Sequence, residues 1–86
     1  MLIRSQSKKS IVNLDNIIEI GAHDTKIVCA GAYGSVGLMG IYSTEEKAIK
    51  VLDMIQSAYN AIETMKIDKQ AWKDNHYFEM PLDSEV

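Results

Sequence analysis

One cysteine, one proline and no long apolar run are the first scarcities of this 86-residue chain. A lone cysteine, Cys29, cannot close a loop within the chain, which fits a reducing compartment. Proline occurs only at Pro81, so no ring interrupts the elements before it. No stretch approaches the roughly 20 apolar residues that cross a bilayer. The apolar start Met1-Leu2-Ile3 is broken at once by Arg4 and Ser5, and no export-signal core follows. These absences lead to the expectation of a soluble, cytoplasmic protein with no membrane partner. Excess charge is also scarce: 9 Lys and Arg stand against 12 Asp and Glu, a formal net charge of −3. That balance argues against broad, non-specific nucleic-acid binding, which relies on a basic face.

What is present is apolar content, at 47% of the residues, ordinary for a globular domain and too rich for a disordered one. The length allows one domain over residues 1–86. Small chains often gain stability from self-association, so a homodimer is one expectation.

The chain reads as short β-branched runs followed by one long helical pattern. Leu2–Ser5 and Ile11–Leu14 have strand composition and flank a polar turn. Ile17–Ala22 and Lys26–Ala30 read as a hairpin around His23-Asp24-Thr25, with Ile18, Ile20 and Ala22 on one face by the two-residue period. In Gly31–Gly40 glycine recurs every third residue; this predicts a turn over Gly31–Ser35 and a strand over Val36–Tyr42. In that strand Gly37 and Gly40 mark a bulge or a close backbone approach.

Ser43-Thr44-Glu45-Glu46 has capping-box spacing, with Ser43 at the cap and Glu46 reaching back to it. Behind it Ala48, Val51, Leu52, Ile55, Ala58, Tyr59 and Ile62 form one apolar stripe at three- and four-residue spacing. The helix runs to about Met65, and the pattern leaves residues 66–75 open between helix and loop. His76–Met80 has strand alternation with Phe78 and Met80 on one face; Pro81 ends it, and 81–86 reads as a frayed tail. The expected architecture is therefore α+β: a small antiparallel β-sheet of about four to six strands, covered on one face by one long amphipathic helix, with a final short strand.

Several blocks carry a resemblance. They are Met1–Gln6, Ile11–Asn16, Gly40–Ala48 running into Val51–Gln56, and Phe78-Glu79-Met80-Pro81. Together they resemble a group of short uncharacterised proteins from Gram-positive bacteria and their phages or integrated elements. The blocks cover about half the chain, and Gly40–Ala48 is the most specific of them; Gly31–Met39 and Met65–His76 lie outside the resemblance. It implies a bacterial or phage source and a small α+β fold, and carries over no activity and no site residue.

No catalytic constellation stands out. His23, His76 and Cys29 lack the spacing of a zinc site, so no metal is expected. Cys29 lies in an apolar strand, far from the cationic or helix-terminal setting of a reactive thiolate, and reads as core. Gly31–Gly37 has neither the Lys-Ser/Thr end of a P-loop nor a helix directly behind it, so no phosphate cofactor is implied. The chain thus reads as a binding protein rather than an enzyme. Tyr33, Trp72 and Tyr77 are the partner-binding candidates, because aromatics are enriched where proteins meet. Arg4, Lys8, Lys9 and Lys26 are the candidates for a local basic patch.

The leading expectation is a protein-interaction or accessory module of a phage or mobile element, its partner a host factor or a second copy. The alternatives are a nucleic-acid-binding accessory protein using the basic patch, and a ligand-binding protein whose site lies at a dimer interface.

Overall fold

A computed structural model describes residues 1–32, 34, 36–65 and 77–86. In chain order the elements are β1 (Leu2–Arg4), β2 (Ile11–Asn13), a 3-10 turn (Leu14–Asn16), β3 (Ile17–His23), β4 (Lys26–Gly31), β5 (Val36–Ile41), α1 (Glu45–Met65), β6 (Tyr77–Glu79) and a second 3-10 turn (Asp83–Glu85). The fold is α+β, with one long helix and a terminal strand. Its described strands divide into two three-stranded sheets, β2-β1-β6 and β3-β4-β5. All pairings are antiparallel except β1 with β6, where Ile3 lies beside Phe78. A parallel pair needs a long crossover. Here everything between the two ends of the chain supplies it.

Local chemistry explains the hairpins. Between β1 and β2, Ser5 closes the loop: its amide donates to the Ser10 carbonyl at 2.8 Å and its hydroxyl accepts from the Ser10 amide at 3.2 Å. That satisfies a serine only 2% exposed. Between β3 and β4 the turn is Asp24-Thr25, with His23 paired to Lys26. Asp24 adopts φ 54°, which its short polar side chain tolerates.

Two bulges decide which side chains meet the core. In β3, Ile17 pairs with Gly31 and Glu19 with Ala30, so Ile18 is the extra residue. The strand therefore switches face at that point. Ile17, Ile20 and Ala22 pack on the core, while Ile18 is 72% exposed. The strict alternation that placed Ile18 with Ile20 and Ala22 fails because it assumed an unbroken ladder. In β5, Ile27 pairs with Gly40 and Val28 with Leu38, which makes Met39 the extra residue, and it is buried. The two glycines are close approaches, as expected. A Cβ on Gly37 would meet Cys29 Sγ at 3.2 Å, and one on Gly40 would meet the Tyr42 ring at 3.1 Å.

Helix α1 lies over β3 and β4. Its stripe buries Ala48, Val51 and Ile55 against Ile3, Ile27, Cys29, Met39, Tyr42 and Met80. Each fully buried aliphatic side chain stabilises the fold by about 1.5–3 kcal/mol. The side chain of Ile62 lies outside the described residues, as do residues 66–75. The cap differs from the capping box. The helix begins at Glu45, so Thr44 is the cap, and its hydroxyl accepts from the Lys47 amide at 3.1 Å. The Ser43 amide, which Glu46 was expected to engage, donates instead to Asp83 Oδ1 at 2.7 Å. A carboxylate from the far end of the chain takes that place.

Asp83 belongs to the segment read as a tail. Residues 81–86 are held at the start of α1: Tyr42 donates its hydroxyl to the Pro81 carbonyl at 2.8 Å, and Lys47 Nζ donates to the Asp83 carbonyl at 3.1 Å. Local sequence gave no sign of this, because the partners come from residues 42–47 and from Gln6, whose Nε2 donates to the Pro81 carbonyl at 3.4 Å. No described helix is long and apolar enough to cross a membrane.

Candidate interaction surface

The β3-β4-β5 sheet has two faces, and α1 covers one. On β4, Ile27 and Cys29 point to the core, so Lys26, Val28 and Ala30 point away from it. Paired residues of neighbouring strands share a face. The outer face is therefore three rows: Glu19, Ala30 and Val36; Gly21, Val28 and Leu38; His23, Lys26 and Ile41. Its apolar members are bare to solvent: Val36 is 72% exposed, Leu38 52% and Ile41 49%. Gly21 and Ala30 keep the surface flat, and charge sits only at its ends, Glu19 at one and Lys26 at the other.

The outer edge of this sheet is partly closed. The Gln6 side chain behaves as a short strand segment against β5. Its Oε1 accepts from the Ile41 amide at 2.9 Å and its Nε2 donates to the Ile41 carbonyl at 3.0 Å. Backbone pairing continues through the Gln6 amide to the Met39 carbonyl, at 2.8 Å. A single glutamine thus satisfies groups that an open edge would offer to another chain. Beside it, Gln6, Ser7, Leu38, Ile41 and Leu82 line an open groove of about 350 Å³ that continues the apolar surface around the edge.

The basic candidates are dispersed. Arg4 donates from Nε and Nη2 to the Lys8 carbonyl, at 3.2 and 2.9 Å. The Lys8 ammonium pairs with Glu79. Its hydrogen bond, then its charge, hold the Glu79 carboxyl below the usual range. Lys8 is thereby neutralised at short range. Lys9 lies in the loop after Lys8, and Lys26 stands on the other sheet, on the outer face just described. Tyr77 is on β6, paired with Leu2 on the outer side of the first sheet and exposed. Tyr33 and Trp72 lie outside the described residues, so Tyr77 is the one aromatic candidate that can be placed. Cys29 is buried beneath Gly37, as a core thiol would be. Among the described residues, no three His, Cys, Asp or Glu side chains gather where a metal ion would be held.

A family model described as a domain of unknown function (DUF7336) matches residues 23–79. The chain belongs to the DUF7336 family. The matched region runs from the hairpin tip through β4, β5, α1 and β6, and leaves out β1 and β2. Two of the three strands that form the outer face thus lie within the DUF7336 region. No curated protein and no solved structure matches the chain.

Sequence reasoning missed this face in the DUF7336 chain, although a signal was present. The run Ile27-Val28-Cys29-Ala30 is apolar at every position. A strand covered on one side alternates; a continuous apolar run belongs to a strand covered on both. The helix accounts for only one of those covers.

Proposed function

We propose that this protein is a small protein-interaction module and that the outer face of β3-β4-β5 is its docking surface. The carrying observation is that face itself: a central strand apolar on both sides, flanked by Val36, Leu38 and Ile41 exposed in one contiguous patch. Contiguous apolar surface on a small domain marks a site of association, whereas scattered apolar residues do not. The site binds rather than catalyses. Its central members are Val, Leu, Ile, Ala and Gly, which bury area without moving protons or electrons, and Glu19, His23 and Lys26 stand only at its ends. The resemblance to short proteins of Gram-positive bacteria and their phages supports a role as an accessory module of such an element.

Tagged protein and its Leu38→Glu variant, passed through nuclease-treated lysate of a Gram-positive host, test the reading. A partner retained by the native chain and lost by the variant supports it. A partner retained equally by both places the interaction elsewhere. Recovery that vanishes with nuclease treatment favours nucleic acid as the partner.

A further inference from the structure

The outer face carries its own complement, and we infer that the partner it fits is a second copy of this chain, packed face to face across a two-fold axis. This rests on the reading of that face as a docking surface and adds the identity of its occupant. The argument is the charge pattern. Glu19 stands at one end of the three rows and His23 with Lys26 at the other, separated by the uncharged row Gly21, Val28 and Leu38. Two copies of one sheet stack in few ways, with strands roughly aligned and about 10 Å between sheets. A two-fold axis along β4 would set Lys26 of one copy on Lys26 of the other, which repels. An axis across the strands, over the middle row, reverses the second copy end for end. Glu19 of one copy then faces the His23 and Lys26 end of the other, twice per dimer. Val36 meets Ile41, Leu38 meets Leu38, and Ala30 leaves room for the Lys26 stem to reach toward the opposing Glu19. The charges therefore select one isologous arrangement. They also act against a sheet slipped by a row, because slippage strands both ends opposite apolar side chains.

Gln6 explains why association proceeds through the face rather than the β5 edge: its side chain already occupies the backbone groups of Ile41 there. Three short strands offer an interface at the small end of the known range, so the dimer forms reversibly with concentration.

Sedimentation equilibrium tests this on the full chain from about 5 to about 500 µM, a range suited to an interface of this size. The native chain is expected to pass from monomer toward dimer, and Leu38→Glu to remain monomeric. Leu38 is half exposed, so the variant should keep the native circular dichroism spectrum and melting transition. Glu19→Lys and Lys26→Glu should each weaken association about tenfold or more. Mixed one to one, these two variants should restore it, because each then meets its opposite charge at both contacts. A native chain that stays monomeric throughout overturns the inference, as does a mixture that associates no better than either variant alone. If the native chain is monomeric while Leu38→Glu still loses a protein captured from lysate, the docking face stands and its occupant is a foreign protein. If a dimer forms and Leu38→Glu leaves it intact, both readings of the face fall.

Discussion

Tyr42 shows how much one side chain carries here. It is 3% exposed, packs beside Gly40, and donates its hydroxyl to the Pro81 carbonyl at 2.8 Å. Burial first, then the nearby charges of Asp83 and Glu85, push its pKa from 10.0 up to about 12. The folded state therefore disfavours the phenolate. Stability from this group is complete below its unfolded value of 10.0 and is lost as pH rises through about 12. The loss amounts to about 2 kcal/mol. Tyr42→Phe should cost about 1 kcal/mol at neutral pH through the missing hydrogen bond. It should also flatten the alkaline fall, so denaturant titrations of both proteins across pH 9–12 should cross, with Tyr42→Phe the more stable of the two at the alkaline end. Parallel curves would show that Tyr42 is not the titrating group. At this scale the sequence was informative about backbone and silent about partners. The spacing of Gly37 and Gly40 marked a close approach, since only glycine leaves room there. That the atoms approaching Gly40 belong to Tyr42 and Met80 depended on the fold.

Among elements, α1 is the most legible and its start the least. Three- and four-residue spacing marks the stripe that begins Ala48, Val51, Leu52, Ile55, Ala58 and Tyr59, because a helix repeats its face locally. Ala48, Val51 and Ile55 are buried as that spacing predicts, whereas Tyr59 is exposed. The cap is split between Thr44, adjacent in sequence, and Asp83, some forty positions away. Thr44→Ala should destabilise the protein by about 1 kcal/mol. At Asp83, the Ser43 amide hydrogen bond is the main influence, and it holds the carboxyl below its usual range. The stabilisation from Asp83 is thus present above its ordinary pKa and lost as pH falls through the lowered folded value. Asp83→Asn keeps an oxygen for Ser43 and loses the charge facing Lys47, whereas Asp83→Ala loses both. Melting temperatures at neutral pH should fall in the order native, Asn, Ala. Acidification should bring the native protein toward Asn, while Ala, which lacks the acceptor for Ser43, stays lowest. Equal melting temperatures at neutral pH would show that the contact is ornamental. The β3 bulge teaches the same lesson. Composition marked the strand, but one extra residue reversed the face of Ile18, and only the pairing with β4 reveals where a ladder skips.

In the whole molecule the ends of the chain hold the middle. β6 lies beside β1, Met80 donates its amide to the Arg4 carbonyl at 3.0 Å, and residues 81–86 cover Tyr42 and the start of α1. A chain this small has little stability to spare. Removing residues 81–86 should therefore lower the melting temperature by about 10 °C or more. A truncated protein that melts like the native one would return the segment to the status of a tail. Local patterning specifies the α+β class, the strand and helix order, the hairpin around Asp24-Thr25, the buried positions Ala48, Val51 and Ile55 of α1 and the glycine contacts of β5. Each of these is written in residues within one or two turns of each other, where periodicity and turn chemistry act. Tertiary structure alone decided the division into two sheets, the parallel β1 and β6 pair, the Asp83 cap and the Gln6 closure of the β5 edge. Those contacts join residues separated by 35 positions, as Gln6 and Ile41 are, or by 40, as Ser43 and Asp83 are. No local period records such a meeting. The bare outer face lies between the two cases: its apolar residues were in plain sight, and only the position of the helix showed which of them were left uncovered.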